Sequence, residues 1–449
     1  MQKYSSNKNI FIDSKKVTFL NDSRTKLNKV TIQNFIFLLF LIVFNFVFET
    51  DFFMLIFIIY GFSLIVFGSN FTSLLYLMFL TPLSEVIKFS NSGIYFYFLF
   101  FAGYIINTYI IRARKLSVKP LMLFIMFIIY TIVFYDFSDS DRFVSTFLTI
   151  FSFFVLIPLS QNYKNEYFNY IVGTISISFI FASILGLFRS LLPKLDVLLR
   201  VNVLWINNVR YERFLGISWD SNIYALFALL FMNLLMLSSI KNLIKVPIII
   251  PIIVFGTLTF SKMFLLGFIF STFMWTYVLM KRNVFKFIVY LVFATTIIII
   301  ANLLSGNAIF NVFISRFQEP SSLNSLTTGR SDILFIYIKK IFSNIELFLF
   351  GASLGNENLD GVASHNTFIQ IIYTLGLTGF FILSTYFYLV KKNFNIKPIL
   401  SVFNISYIPV IITIFTLVSL SMFSNHTFYV VIFLCMIALF EKKVFTNVS

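Results

Sequence analysis

Windows of apolar residues long enough to cross ~30 Å of hydrocarbon at ~1.5 Å per residue recur along this whole chain. About fourteen can be counted, the first from Ile32 to Phe48 and the last from Thr427 to Phe440. Backbone inside a bilayer must satisfy its own hydrogen bonds, which uninterrupted runs of this length do as helices. Little is left over, since 59% of residues are hydrophobic and 12% charged, and such a composition excludes a soluble globule. The expected fold is therefore an all-α polytopic membrane protein with about 14 transmembrane helices. It forms one domain over residues 32–440, between a basic tail, 1–31, and a short tail, 441–449. The weakest window, Phe71 to Leu83, ends beside Pro82.

Charge sets the orientation. Lys3, Lys8, Lys15, Lys16, Arg24, Lys26 and Lys29 face only Asp13 and Asp22 before the first window, which by the positive-inside rule holds the N-terminus in the cytoplasm. Counting alternately, Arg112 to Lys119, Lys241 to Lys245, Lys281 to Lys286, Lys391 to Lys397 and the C-terminal tail become short, basic cytoplasmic segments. Both termini are then cytoplasmic, the protein belongs in a bacterial cytoplasmic membrane, and the long loops 189–222 and 305–364 lie outside. No cleavable leader is expected, because a polar basic tail precedes the first window. The formal charge of +16 reflects this orientation and anionic headgroups rather than nucleic acid. Cys435, the only cysteine, falls inside the last window, so an intramolecular disulfide is impossible.

Ile333 to Phe350 is nearly apolar enough to span, but Lys339, Lys340, Asn344 and Glu346 would fall near its centre, at ~2.5–3.5 kcal/mol for each charge. It is read as an amphipathic helix on the outer membrane surface, within the large outer loop.

Candidate chemistry gathers on the outer side. His365 stands where the long loop re-enters the membrane, and its imidazole could take a proton from a sugar hydroxyl near neutral pH; the plainer reading is an interfacial or helix-capping residue. His426, in a short turn, is the weaker histidine. Arg210, Arg213, Lys262 and Arg330 are outward cations at membrane level, where a diphosphate is a partner that guanidinium forks suit; lipid headgroup contact is the alternative. The carboxylates of "DFSDSD", Asp136 to Asp141, lack the glycine turn and distant glutamate of a calcium loop and read as a solvated acidic turn. No metal-ligand spacing, phosphate-binding glycine loop or nucleophile elbow occurs, so neither metal nor cofactor is expected.

In order along the chain stand "RFLGISWDSN", "LTFSK", "TTGRSD", "LFGASLG" and "SHNTFIQIIYTLGLTGF". Over residues 213–380 this pattern resembles the bacterial O-antigen polymerase and ligase superfamily, which includes the Wzy-type capsular and exopolysaccharide repeat-unit polymerases. The resemblance implies a glycosyltransferase that moves a glycan from an undecaprenyl diphosphate carrier to an acceptor hydroxyl at the outer face. It further implies that Arg213 and Arg330 hold the diphosphate and His365 acts as base. Lys262 stands where the family usually shows arginine, which keeps the charge but loses the bidentate fork. The expected partners are carrier-linked donor and acceptor glycans and the bilayer, with a chain-length regulator and a flippase as candidate protein partners.

Three other readings stay open at this stage. A ligase would use the same site on a different acceptor. A lipid-linked oligosaccharide flippase should show paired repeats and polar or broken helices at the bilayer midplane. A structural partner of an envelope complex would tolerate loss of Arg213, Arg330 and His365.

Overall fold

A computed structural model of the chain describes residues 14–87, 96–134, 148–199, 203–206, 209–218, 220–280, 330–354, 358, 359, 361–394, 405–423 and 425–440, with scattered positions between 285 and 315. The acidic turn at 136–141, most of the window Val284 to Leu304, residues 316–329 of the large loop and both chain ends lie outside the described residues.

The described chain is mostly helical. In order come α1 (Ser14–Val47), α2 (Asp51–Phe67), α3 (Asn70–Leu80), α4 (Tyr97–Ile105), α5 (Val118–Val133), α6 (Leu148–Asn162), α7 (Phe168–Leu187) and α8 (Pro193–Leu198). After a short hairpin follow α9 (Ser221–Leu237), α10 (Asn242–Leu258), α11 (Lys262–Met280), α12 (Arg330–Ser343), α13 (Ile345–Phe350), α14 (Thr367–Asn393), α15 (Tyr407–Leu417) and α16 (Phe428–Phe440). Among the described residues three stretches, Lys29–Val47, Asn165–Leu187 and Thr367–Asn393, are long and apolar enough to cross a membrane. The other apolar helices are shorter, so the structure supports membrane association but not a count of fourteen spans.

Helix starts follow side-chain caps that satisfy otherwise unpaired amides. Thr50 accepts from Phe52 N, Ser69 from Thr72 N, and Asn344 from Glu346 N and Leu347 N. Among the described residues the larger hydrophobic core runs through the bundle, with α14 packed on α5, α3 on α7, and α9 against α10, α11 and α15, and a smaller cluster joins Tyr337 and Ile341 of α12 to Tyr373 of α14. Buried amides cross-link the bundle. Asn233 donates to Ser271 Oγ at 2.9 Å and accepts from Trp275 Nε1 at 2.9 Å, and Asn162 donates to Tyr104 Oη at 3.0 Å.

Several elements differ from the sequence expectation. The window Phe71 to Leu83 is α3 passing into a 3-10 turn, Thr81–Val86, where Pro82 removes a donor. α1 begins at Ser14, so the second half of the basic tail is already helical. Residues 189–222 hold α8 and an antiparallel hairpin, Val203–Ile206 with Val209–Glu212, so the fold is not purely α. β-branched and aromatic runs either side of Asn207 and Asn208 are the sequence cue for that hairpin. Ile333 to Phe350 is two helices, not one, divided where Asn344 caps α13. Phe335, Lys339, Lys340 and Phe342 on the first of them are exposed.

The window from Thr367 to Val390 is not one continuous helix. α14 is interrupted at Gly376, where φ is 63° and ψ is −176°. A Cβ there would lie 2.5 Å from the backbone of Leu349, Phe350 and Gly351, because α13 ends with its main chain pressed directly against the break. Gly351, at φ 81°, meets Thr374 and Gly376 equally closely. The freed backbone groups are taken up in this contact. Ala352 N donates to Tyr373 O at 2.7 Å and Ser353 N to Thr374 O at 3.1 Å, while Tyr130 Oη from α5 donates to Leu375 O at 2.5 Å and lies 2.8 Å from Phe350 O. The motif glycines of "LFGASLG" and "YTLGLTG" thus face one another across a backbone contact that no side chain could enter.

Candidate functional site

Of the residues singled out in the sequence, Lys262, Arg330 and His365 lie at or just before helix starts, and Arg213 lies beside the turn between α10 and α11. Side-chain contacts link the start of α9, the end of α10 and the start of α11 in one set, and the starts of α12 and α14 with the stretch after α15 in another, the two sets meeting through the charge of Asp220.

Arg213 is the clasp of one half. Its Nε donates to Thr259 O at 2.9 Å and its Nη2 to Asn222 Oδ1 at 3.1 Å. Asn222 also accepts from Ser261 Oγ at 2.9 Å, so the tight turn between α10 and α11 is fastened to the start of α9. Asp220 caps α9, accepting from Asn222 N at 2.5 Å. Lys262 opens α11 from this same turn and is half-buried. Arg213 therefore spends at least two of its five donors on the fold itself.

Arg330, His365 and Asp220 form the other half. Arg330, the first residue of α12, donates from Nη1 to Ser419 O at 2.8 Å. Residues beside His365 are fixed on both sides. Ser364 Oγ lies 3.1 Å from Ser421 Oγ and accepts from Asn366 N at 3.3 Å, and Asn366 caps α14 by accepting from Phe368 N and Ile369 N. Thr367 Oγ1 donates to Leu420 O and accepts from Met422 N. Between these anchors His365 takes the left-handed backbone conformation, φ 50°, sparsely populated for a residue with a side chain. Strain of this kind persists only where the surroundings over-determine it.

The electrostatics tie these residues together. Burial, and then the Arg330 charge, hold the His365 imidazole below its ordinary pKa, with Asp220 acting in the opposite direction. Burial lowers the pKa of Arg330 as well, again opposed by Asp220. Asp220 thus lies within the field of both, and Asn222 connects it to Arg213. The result is a half-buried imidazole held neutral beside a fixed guanidinium, with a carboxylate near enough to stabilise it once protonated.

Arg210 does not join this group through any contact among the described residues. It lies on the second hairpin strand, about half exposed, in an ion pair with Glu212 at 3.1 Å. His426 is also elsewhere. It is buried, its Nε2 lies 3.0 Å from Ser84 Oγ, and burial pushes its pKa down to about 4. Its 3.9 Å approach to Glu85 is accordingly a contact of a neutral ring near pH 7. Asp220 and Asn222 were not singled out in the sequence as site residues, although "DSN" immediately before an apolar run is a helix-start signal.

Neither a family model, a curated protein nor a solved structure matches this chain.

Proposed function

We propose that this chain is a polysaccharide repeat-unit polymerase of the O-antigen polymerase and ligase superfamily, a membrane glycosyltransferase acting at the outer face of the cytoplasmic membrane. The observation that carries this reading is the linked group of Arg213, Arg330, Asp220 and His365 at one end of the bundle. An acceptor hydroxyl attacks the anomeric carbon of the carrier-linked glycan. The bond from that carbon to the diphosphate oxygen breaks, the undecaprenyl diphosphate leaves with the electron pair, and His365 accepts the hydroxyl proton. Arg330, with Arg213 beside the turn that carries Lys262, offsets charge developing on the diphosphate, an effect stronger at a partly dehydrated boundary than in water. Asp220 stabilises the imidazolium that results.

A flippase would use a broken helix, and α14 has one. Its exposed carbonyls are, however, covered by Ala352, Ser353 and Tyr130, so the break is sealed by protein rather than lining a passage. A ligase shares every residue named here and differs only in acceptor.

The test is the glycan length distribution in a deletion strain complemented with wild type or His365→Ala at matched membrane abundance. Wild type should restore a ladder and the variant should leave single repeat units. Long polymer retained on the carrier in the deletion strain would identify a ligase. A normal ladder from His365→Ala would overturn the mechanism.

A further inference from the structure

Asn222, the second residue of α9, ties two other segments to the start of that helix through one side chain. Its Oδ1 accepts from Arg213 Nη2 at 3.1 Å and from Ser261 Oγ at 2.9 Å, while its main-chain N–H donates to Asp220 Oδ1 at 2.5 Å. A guanidinium has donors only, so the amide oxygen must be the atom that faces Arg213, and the amide cannot turn over without breaking that bond. Helix and turn are also held in other ways. α9 is seated by its buried face and by Tyr224, whose Oη lies 2.5 Å from Ser183 Oγ of α7 and whose ring stacks on Phe179. The turn between α10 and α11 is joined to the chain before α9 by the main chain itself, Phe214 N donating to Leu258 O at 3.1 Å. What the Asn222 side chain adds is control of the Arg213 guanidinium.

The geometry of that control is specific. The bonds to Thr259 O, at 2.9 Å, and to Asn222 Oδ1, at 3.1 Å, both leave from the Nε–Nη2 edge of the guanidinium. One bond from Nε sets a point; a second acceptor on the same edge sets the plane. The edge between Nη1 and Nη2 then has one direction, and that edge is the fork that matches two oxygens of a phosphate. A lysine ammonium has no plane to set.

We propose that Asn222 is a positioning residue that aims the Arg213 fork at the diphosphate of the lipid-linked substrate. The diphosphate comes from the glycosyl-transfer reading above, on which this role rests; the clasp does not depend on that reading. Ser261 Oγ steadies the same amide oxygen, so the turn that carries Lys262 shares in the aim.

The experiment uses the full chain in phosphatidylcholine nanodiscs, with undecaprenyl diphosphate as the probe and native mass spectrometry as the binding readout. Asn222→Ala should weaken binding about tenfold, the worth of one hydrogen bond to a charged group. Ser261→Ala, which removes the second donor to the amide oxygen, should weaken it about threefold. The deciding readout is the same pair of substitutions made on Arg213→Lys, where there is no plane to aim and each should change binding less than about twofold. A residue that merely stabilises the fold would cost the same on both backgrounds. Melting curves identify a variant that fails to fold, and two separate substitutions keep the comparison open if one does. Equal losses on the arginine and lysine backgrounds, or no loss from either substitution in folded protein, overturn the role. Displacement of the probe by an equal excess of phosphatidylglycerol overturns the assignment to the diphosphate. A wild type that does not bind the probe overturns the role and the glycosyl-transfer reading together, whereas binding lost in Arg213→Gln but kept in Asn222→Ala leaves that reading standing and removes only Asn222.

Discussion

Replacing Gly376 by alanine should detach the end of α13 from α14 without unfolding the bundle. The magnitude follows from the geometry. The new Cβ would sit 2.5 Å from three backbone atoms, and ordinary contact begins at 3.4 Å, so the two chains must separate by about 0.9 Å. The Ala352 N to Tyr373 O and Ser353 N to Thr374 O bonds, now 2.7 and 3.1 Å, would then stretch to about 3.6 and 4.0 Å, beyond useful hydrogen-bonding range. Two such bonds contribute ~1–3 kcal/mol together. A side chain at φ 63°, ψ −176° adds strain of ~1–3 kcal/mol. The local loss is about 2–6 kcal/mol, and since ~1.4 kcal/mol is a factor of ten, the amides of Ala352 and Ser353 should exchange with deuterium at least ~25-fold faster in nanodiscs. Gly361→Ala is the control. Gly361 also has a positive φ, 79°, but nothing lies within 4 Å, so it bears the conformational cost without the collision and should leave those two amides alone. If Gly376→Ala changes their exchange by less than about threefold, the backbone contact is not what holds the two segments together.

Other outcomes follow from the charges. In the proposed mechanism His365 acts as base when neutral, so activity should fall as pH drops through its lowered pKa; Arg330→Gln removes a depressing charge and should move this acid limb to higher pH, and Asp220→Asn should move it lower. The midpoint of a pH profile in membrane vesicles reads this separately from any loss of rate, and shifts in the same direction would refute the coupling. For His426 the folded pKa of about 4 lies below the unfolded value of 6.5, so stability is full above 6.5, declines between 6.5 and 4 and levels off below. The decline is about 3 kcal/mol, and His426→Asn should flatten the pH dependence of the melting temperature across that window. Arg210→Gln should change ladder formation less than about twofold, since exposed ion pairs contribute little; complete loss of product would show that Arg210 reaches the substrate.

What could be read from the sequence was local. Asn366 and Asp220 each precede an apolar run, and both are helix caps in the structure. The charges on Ile333 to Phe350 kept it from being read as a span, and its lysines are exposed. What escaped depends on residues far apart in the chain. Gly351 and Gly376 each look like turn glycines, and nothing in their neighbourhoods says that they touch. The contact of Arg330 with Ser419, 89 positions away, uses a backbone carbonyl that no side-chain pattern marks. Glu85, a single carboxylate near Pro82, belongs to no motif, and its burial beside His426 needs the assembled bundle. Arg213 and Arg210 look alike in sequence, yet one clasps two helix ends and the other pairs at the surface.

The interruption at Gly376 also works as a depth gauge. From Gly376 to Asn393 there are 18 residues, which at ~1.5 Å each cover about 27 Å, close to the thickness of the hydrocarbon layer. The nine residues from Thr367 to Leu375 add some 13 Å of helix on the other side of the break. His365 stands just before them, at the end of this segment away from Asn393. Inserting one residue in that upper segment would lift the imidazole by ~1.5 Å and turn it by ~100°, while leaving the buried portion of the helix untouched.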